Sequence, residues 1–327
     1  MIDPAEYADE IKRAALRHDV SPQIQKNDFI FQFLVSNPSF KDIAEAIDYY
    51  FDDGARSREK LTSLISQYLT EELQSIKILE FASGYGCVSR HLVKDSRYDV
   101  TASDIHPAAM DFIAVNLGTK TLQSVRVPEE FRCPAFDVCF ALSFFSHMPD
   151  VTWSRWLKVL MNAVRPGGIL IFTTQGLSSA KYFYFGDPEL CDAGFWFKPE
   201  SEQGDLDTME YGQAIATPGY VFRKLSEIRA ALPVFFQTGY WWGHQDVYVV
   251  RRAAKATMTE RAPSAAEMAE VQLELAEQWQ RLAIAEARCA TAWQRTAALE
   301  ASTSWRITAP LRSLAHAFRS TRGAAPR

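Results

Sequence analysis

Short strand-like runs alternate with amphipathic stretches through the middle of this sequence. The runs have the length of single buried strands, and they cover 76–80, 98–103, 136–142 and 169–174. Trp153–Val164 carries apolar residues at helical spacing and ends at a Pro-Gly-Gly stop signal. Two further β-rich runs, 234–241 and 245–251, close the pattern. Alternation of this kind predicts an α/β fold with a largely parallel sheet.

The N-terminal part of the chain is helical in pattern. Helical periodicity occurs in three pieces of residues 1–70, namely Ala5–Arg17, Phe29–Leu34 and Phe40–Phe51. We expect a helical cap here, followed by a turn at Asp52-Asp53-Gly54. In one interpretation Tyr49, Tyr50 and this turn line a substrate site. In the other, the tyrosines pack in the interior and Gly54 caps the helix.

The composition changes after residue 253. Residues 254–264 resemble a linker, whereas 265–302 lack Gly and Pro and carry apolar residues at heptad a and d positions. We predict a coiled coil that joins copies of the chain or a partner, with a single helix packed on its own domain as the alternative. Residues 303–327 combine arginines with an apolar helical stripe and have no acid. They predict a basic amphipathic tail for an anionic membrane surface or a partner, or else a solvated terminus.

Composition and charge narrow the class of protein. The chain has 327 residues, of which 47% are hydrophobic and 23% are charged, so a sizeable core can be buried. A formal net charge of −5 gives no general attraction to nucleic acid, and we expect no nucleic-acid partner. The five cysteines are scattered without a Cys-x-x-Cys pair, which argues against a disulfide framework or a metal site. We see no targeting signal or spanning apolar run and therefore expect a cytoplasmic protein.

The most informative chemistry lies in Ile76–Leu92. The first strand ends on an acid, Glu80, and a turn of small residues follows before a helix begins. Glycines in such a turn let a ligand approach the backbone, and helical N–H groups point into the crevice. The spacing to Asp104, at the end of the second strand, fits a ribose-binding acid and keeps a nicotinamide dinucleotide as one alternative. Glu80 favours S-adenosylmethionine, because a carboxylate repels a pyrophosphate but suits an ammonium and a sulfonium.

Leu79–Gly86 resembles motif I of class I S-adenosylmethionine-dependent methyltransferases, in which an acid precedes three alternating glycines. Ala82 stands in place of the first glycine. The resemblance covers roughly 73–252 and implies a Rossmann-like seven-stranded sheet with an antiparallel last strand, so we assign 71–253 to a methyltransferase domain. The acid that many members place against adenine is missing at 124–126. The cofactor-binding residues that the resemblance and the spacing indicate are Glu80, Ala82, Ser83, Gly84, Tyr85, Gly86, Asp104, Ile105, Ala141 and Leu142.

Three residues are candidates for the general base that a sugar hydroxyl would need, because the pKa of such a hydroxyl is high. His147 lies on the loop after the fourth strand, which resembles the family's loop beside the transferable methyl group. His244 and Asp246 lie at the corner between the last two strands. Each also has a structural interpretation, as a loop histidine or as hairpin residues. Phe144 or Phe145 is expected to wall the adenosine or the sulfonium.

Two features point to the acceptor. A long excursion, 173–219, is rich in aromatic and acidic residues, which suits a sugar acceptor or, alternatively, a satellite core. Ser304–Arg312 resembles the ending of many bacterial polysaccharide-assembly enzymes, which implies a glycan acceptor, a glycosyltransferase partner and contact with the inner membrane. We therefore predict a methyltransferase that modifies a sugar or glycan intermediate of cell-surface polysaccharide synthesis. The alternatives are a non-catalytic cofactor-binding scaffold of a glycan-synthesis complex and a small-molecule or lipid methyltransferase.

Overall fold

The computed structural model describes residues 1–182, 190, 193–201 and 203–254. The linker from 255 onward, the coiled coil of 265–302 and the tail of 303–327 lie outside the described residues and stay predictions. The same holds for three aromatic residues of the excursion, 183–185. Within the described part of the chain, no helix is both long enough and apolar enough to cross a membrane.

Seven of the described strands form one mixed sheet. The strand bounds, including the separate pair β6 and β7, are β1 Ile76–Phe81, β2 Tyr98–Asp104, β3 Lys120–Gln123, β4 Phe136–Ala141, β5 Val164–Gln175, β6 Phe195–Lys198, β7 Gln213–Ala216, β8 Ala231–Trp241 and β9 Gln245–Arg252. The order across the sheet is β3-β2-β1-β4-β5-β9-β8. Neighbours from β3 to β5 pair in parallel, whereas β9 is antiparallel to both β5 and β8. The predicted Rossmann-like sheet with an antiparallel last strand is confirmed.

Helices cover both faces of this sheet. Their bounds are α1 Ala8–His18, α2 Phe29–Val35, α3 Ile43–Tyr68, α4 Ser89–Leu92, α5 Pro107–Leu117, α6 Asp150–Ala163, α7 Leu177–Tyr182 and α8 Pro218–Ser226. Neighbouring residues of one strand enter opposite cores, because side chains alternate across a strand. Ile78 packs in the core that α3 covers with Leu64, whereas Leu79 packs in the core that α6 covers with Trp153. All six residues of β4 are buried, which explains its uninterrupted apolar run.

The N-terminal helices differ from the prediction at Gly54. Helix α3 runs for 26 residues, so the predicted turn at Asp52-Asp53-Gly54 and the cap at Gly54 are wrong. A Cβ at residue 54 would lie 2.4 Å from the carbonyl oxygen of Cys87 and 2.8 Å from Cδ2 of His91. Gly54 is therefore a contact point inside the helix. It lets α3 cross the chain at close range just after the motif I turn.

Strand β5 begins earlier than predicted. The Pro-Gly-Gly signal ends the preceding helix at Ala163, but its residues belong to the strand assignment that starts at Val164. The register between β4 and β5 shifts between Phe136 and Val138, and Gly167 adopts φ 85°. The signal thus marks an irregular first part of the strand rather than a separate turn.

The excursion between β5 and β8 contains a small sheet of its own. Strands β6 and β7 pair antiparallel. Phe195 of β6 is buried and stacks on Tyr220 of α8 with ring centroids 4.6 Å apart, in the same core as Trp153. This part of the excursion follows the alternative interpretation, because its leading aromatic residue packs into the domain core.

Candidate functional site

The turn after β1 has the backbone that motif I requires. Ala82, Gly84 and Gly86 all adopt positive φ, at 57°, 54° and 79°. Ala82 therefore occupies a conformation that favours glycine, which explains the glycine that the family motif carries there. A Cβ at Gly86 would lie 2.6 Å from Cδ1 of Leu117, whereas a Cβ at Gly84 would meet nothing within 4 Å. Gly86 serves close packing, and Gly84 leaves open space above the turn.

Glu80 closes β1 as a buried acid. Its side chain is 4% exposed, and its Oε2 accepts a hydrogen bond from the Ser89 hydroxyl at 2.6 Å. Burial raises the pKa of Glu80 to about 7, and the negative charge of Asp104 contributes to this rise. The hydrogen bond from Ser89 acts in the opposite direction and lowers the pKa. Glu80 forms no ion pair with a basic side chain in the part of the chain that the structure describes. A bound cation would favour its ionised form.

Asp104 closes the neighbouring strand β2 and faces the same turn. Its Oδ2 accepts a hydrogen bond from the backbone N–H of Gly84 at 2.8 Å. Its Oδ1 accepts two, from the backbone N–H of His106 at 3.0 Å and from the His106 ring at 2.8 Å. The carboxylate is therefore oriented by the motif I turn and by the start of α5.

The other predicted cofactor residues lie around these two acids. Tyr85 is 8% exposed and packs on Phe112 with ring centroids 5.8 Å apart. Ala141 is buried at the carboxyl end of β4 and pairs with Phe81 of β1, which places Leu142 at the same edge. The carbonyl of Ile105 accepts a hydrogen bond from Gln123 at 2.7 Å.

The residues present fit a cationic nucleoside cofactor. Two buried carboxylates, Glu80 and Asp104, flank a turn with open space over Gly84. The buried hydroxyls of Ser83 and Ser103, at the ends of β1 and β2, have no hydrogen-bond partner. A ligand bound in a crevice at the carboxyl ends of these strands would supply the hydrogen-bond partners that such buried polar atoms lack.

A polar network lies at the carboxyl ends of β4 and β5, and sequence reasoning did not identify it. The Thr173 hydroxyl accepts from the backbone N–H of Ser143 at 2.8 Å and donates to Oε1 of Gln245 at 2.7 Å. Nε2 of Gln245 donates to the Ser143 hydroxyl at 2.9 Å, and this hydroxyl also contacts that of Ser146. Ser143 adopts φ 60°, which these bonds hold in place. The only sequence signal was a hydroxyl residue, Thr173, at the end of an apolar strand.

His147 lies on the loop after β4 and is held by the excursion. Its Nδ1 is 2.8 Å from the carbonyl oxygen of Gly212, and its own carbonyl accepts from the Gly212 N–H at 2.9 Å. The ring stacks on Tyr211 with centroids 4.5 Å apart and planes inclined by 8°. Burial lowers the pKa of His147 to about 4. The ring is neutral at pH 7, and because Nδ1 faces a carbonyl, Nδ1 carries the proton.

His244 and Asp246 lie together at the β8–β9 corner. Burial lowers the pKa of His244 to about 4, and its carbonyl oxygen accepts from the Ser179 hydroxyl at 2.7 Å. Asp246 is 1% exposed, and its Oδ1 accepts from the N–H of Gly239 at 3.0 Å. Gln245 lies between them in the chain and joins the Thr173 network.

The two phenylalanines of the post-β4 loop are core residues. Phe144 packs edge-on against Phe81 at 4.9 Å, and Phe145 lies 4.7 Å from Trp153 and 5.0 Å from Phe172. Phe145 is fully buried and Phe144 is 8% exposed. The rings pack under the loop, so the prediction that either one forms a wall of the cofactor site finds no support in their contacts.

Helix α3 covers this edge of the sheet. Asp53 accepts a hydrogen bond from Nε1 of Trp242 at 2.7 Å, and Ser57 accepts one from Nε1 of Trp241 at 3.0 Å. Tyr50 is fully buried and donates to Asp28 at 2.7 Å, so it packs in the interior as the alternative interpretation proposed. Arg90 of α4 donates to the Tyr50 hydroxyl at 3.2 Å. The N-terminal helices therefore contact both the motif I helix and the β8–β9 corner.

Part of this chain is similar to known methyltransferases. Residues 79–170 match a family model described as a methyltransferase domain. No curated protein matches the chain. One similar solved structure is an S-adenosylmethionine-dependent methyltransferase from Clostridium acetobutylicum ATCC 824. The two sequences are 12% identical, the match covers 60% of this chain and 91% of that chain, and the TM-score is 0.45.

A second similar structure is a 1,6-didemethyltoxoflavin-N1-methyltransferase from Burkholderia thailandensis with bound 1,6-didemethyltoxoflavin and S-adenosylhomocysteine. It has 16% identity, 78% of this chain and 92% of that chain covered, and a TM-score of 0.45. Residues 79–170 thus match a methyltransferase domain, and the strand order of the sheet is the one predicted from the resemblance to class I methyltransferases.

Proposed function

We propose that the chain is an active S-adenosylmethionine-dependent methyltransferase whose acceptor is a sugar or glycan intermediate of cell-surface polysaccharide synthesis. The observation that supports the activity most directly is the pair of buried carboxylates, Glu80 and Asp104, at adjacent strand ends. S-adenosylmethionine supplies an electrophilic methyl group on a sulfonium when it is bound. The task of the protein is to bind and orient the two reactants and to exclude water.

The cofactor side of the site would use charge. Ionised Glu80 favours a positively charged ligand, and Asp104 would accept hydrogen bonds from ribose hydroxyls. Because burial and Asp104 raise the pKa of Glu80 to about 7, a neutral pH leaves Glu80 only partly ionised in the free protein. Cofactor binding should therefore become tighter as the pH rises through 7.

The acceptor side would use neutral polar groups. Gln175 and Gln245 lie opposite each other on antiparallel strands, so their side chains share the face that also carries Thr173. Oε1 of Gln175 is buried and has no hydrogen-bond partner. A neutral acceptor that donates an O–H or N–H group would satisfy it.

The three predicted catalytic residues differ in their capacity as bases. Both imidazoles, His147 and His244, have pKa values lowered to about 4 by burial, so each is a weak base at neutral pH. Asp246 is the remaining candidate to take a proton from a sugar hydroxyl, and it stays a prediction. We propose that His147 positions the loop through Gly212.

The choice of a sugar over other polar acceptors is supported by the excursion. Trp196, Phe197 and Tyr211 are only partly buried, although Phe197 and Tyr211 also pack against the core and one face of Tyr211 stacks on His147. The exposed parts of Trp196 and Phe197 would stack on the C–H face of a sugar. Two of the carboxylates that suggested hydroxyl binding are engaged in the protein, Asp205 with His106 and Glu210 with Arg126. The aromatic rings therefore carry the sugar proposal more than the acids do.

The acceptor class can be tested with isotope-labelled S-adenosylmethionine. The full chain is incubated with bacterial extracts separated into glycan, lipid and small-molecule fractions, and label transfer is counted. Asp104→Ala, which we expect to bind the cofactor much more weakly, is the control. We expect label in the glycan fraction. Label confined to the lipid or small-molecule fraction would support the alternative of a small-molecule or lipid methyltransferase. Cofactor binding with no labelled fraction would support the non-catalytic scaffold.

The partners and location proposed for the C-terminal residues need separate tests. We propose that 265–302 forms a coiled coil with another copy or a glycosyltransferase, and that the tail contacts the inner membrane. Leu275→Asp with Leu282→Asp should lower the mass measured by light scattering if copies associate. Replacing Arg306, Arg312, Arg319 and Arg322 by Gln should abolish cosedimentation with phosphatidylglycerol vesicles. Unchanged mass and unchanged cosedimentation would contradict these proposals.

A further inference from the structure

His106 bridges two carboxylates beside the proposed cofactor site. Its Nδ1 lies 2.8 Å from Oδ1 of Asp104, and its Nε2 lies 3.0 Å from Oδ2 of Asp205. Asp205 belongs to the excursion, whereas Asp104 ends β2. A single imidazole thus joins the predicted ribose-binding acid to a distant loop, since Asp205 lies 99 residues after His106 in the chain.

The bridge competes with the ligand that Asp104 is expected to bind. A carboxylate has about four lone-pair sites for hydrogen bonds. Three are used in the structure: one by Gly84 on Oδ2, and two by the backbone and ring of His106 on Oδ1. A ribose presents two neighbouring hydroxyls, so one site is too few. The His106 ring is the occupant that can rotate away, because the other two donors are backbone groups.

The same ring holds the outer part of the excursion. Residues 210–212 are anchored elsewhere, by Glu210 with Arg126 at 3.2 Å and by Gly212 with the carbonyl of His147 at 2.9 Å. Asp205 is 67% exposed, and its pairing with His106 is the contact, among those described, that ties residues 203–207 to the end of β2. If the His106 ring moves away from Asp104, residues 203–207 are therefore no longer linked to the end of β2 through this ring.

We propose that His106 is a latch: it holds the Asp205 segment against Asp104 in the free protein, and the cofactor's ribose hydroxyls displace it from Asp104. This proposal rests on the proposed function, because it assumes that Asp104 binds a ribose. His106 is a positioning residue in this account. Cofactor binding and attachment of the 203–207 segment become coupled, since one ring serves both.

The latch also links cofactor binding to protons. The hydrogen bond to Asp104, supported by the charge of Asp205 and opposed by burial, raises the pKa of His106 in the free protein. Tyr85, whose pKa responds to both Asp104 and Asp205, is the other titratable group at this position, and Glu80 lies near Asp104. When the ring leaves Asp104 it loses its strongest support for the cationic form, so cofactor binding should release part of a proton from His106 near neutral pH.

Isothermal calorimetry with S-adenosylhomocysteine on the full chain tests the proposal. The variants are His106→Ala, which removes the competitor, and Asp205→Asn, which weakens the bridge but leaves β2 and α5 unchanged. Asp207→Asn is the matched control, because Asp207 lies in the same segment and accepts from the N–H of Met209 at 2.9 Å instead of contacting His106. Titrations at pH 6.5 in buffers of different ionisation enthalpy count the protons released.

We expect His106→Ala and Asp205→Asn to bind S-adenosylhomocysteine roughly three- to tenfold more tightly than the unchanged chain at pH 6.5, and Asp207→Asn to bind equally. His106→Ala should also release fewer protons than the unchanged chain when S-adenosylhomocysteine binds. Any protons released by Glu80 should be equal in number in these two proteins. Unchanged or weaker binding by both variants, with an unchanged proton count, would overturn the latch alone. If the unchanged chain binds no S-adenosylhomocysteine, the proposed function and the latch both fall.

Discussion

The proposed active site has a cofactor end and an acceptor end, and the two are built in different ways. The cofactor end, at β1 and β2, has two buried acids and free hydroxyls within residues 80–106. The acceptor end, at β5 and β9, has a neutral network of Ser143, Thr173 and Gln245 whose members already bond to one another. At the first end Glu80 has no basic partner among the described residues, whereas the polar groups of the second end are held by one another. Under the proposed function, this difference means that charge would select the cofactor, whereas shape and neutral hydrogen bonds would select the acceptor.

The largest expected effect is on the cofactor end. Asp104→Ala should weaken S-adenosylhomocysteine binding by roughly 4 kcal/mol, about a thousandfold, because two charge-assisted hydrogen bonds are lost. Calorimetry on the full chain measures this. Asp99→Asn is the control, since Asp99 lies on the same strand but pairs with Lys120 at the surface. Equal affinities for Asp104→Ala and the unchanged chain would show that the cofactor is held elsewhere.

Glu80→Gln should separate stability from binding. The pKa of Glu80 is raised from an ordinary value of 4.5 to about 7 in the folded protein, so ionisation costs folding stability as the pH rises through this interval. A neutral amide avoids that cost. We expect Glu80→Gln to raise the free energy of unfolding by about 3 kcal/mol at pH 8 and by about zero at pH 4.

The same substitution should weaken cofactor binding, because the site loses its negative charge. Urea unfolding at the two pH values and calorimetry at pH 8 provide the measurements. A variant that is stabilised equally at pH 4 and pH 8 would refute ionisation as the cause. A variant that binds the cofactor as before would show that charge at Glu80 does not select it.

On the acceptor end, Gln245→Ala should act on stability and leave cofactor affinity unchanged. The substitution removes the acceptor of the buried Thr173 O–H and the amide donor to the Ser143 hydroxyl, which we expect to cost about 2 kcal/mol of unfolding free energy. Thr173→Val and the double variant complete a mutant cycle, and a coupling energy near zero would argue against a shared network. A fall in S-adenosylhomocysteine affinity would mean that the two ends are not separate.

The smallest effect is expected in the motif I turn. Ala82 adopts φ 57°, where an L side chain is strained by about 1 kcal/mol. Glycine removes this strain but gives the unfolded chain more conformational entropy, which offsets part of the gain in stability. Ala82→Gly should therefore raise the free energy of unfolding by roughly 0.5 kcal/mol. Ala102→Gly, in the extended strand β2, should lower it. Destabilisation of similar size in both variants would contradict the conformational explanation.

Sequence reasoning succeeded where residues that act together are close in the chain. The strand, turn and helix of 76–92 were predicted from Glu80 and the small residues that follow it, and the ends of β1 and β2 bring Asp104 to the same turn. It failed at Gly54, because the need for glycine arises from the carbonyl of Cys87 on another element. It also failed at Phe145, because loop position alone did not show that Trp153 and Phe172 would bury the ring.

The sequence by itself determined the sheet and indicated the cofactor and the two acids proposed to bind it, because parallel strands end on the same side of a sheet and motif I lies in consecutive residues. Only the tertiary structure decided the acceptor end and the bridge of His106. Their contacts join residues that are many positions apart, such as Ser143 with Gln245 and His106 with Asp205. Such contacts depend on how elements pack, and no spacing along the chain encodes them.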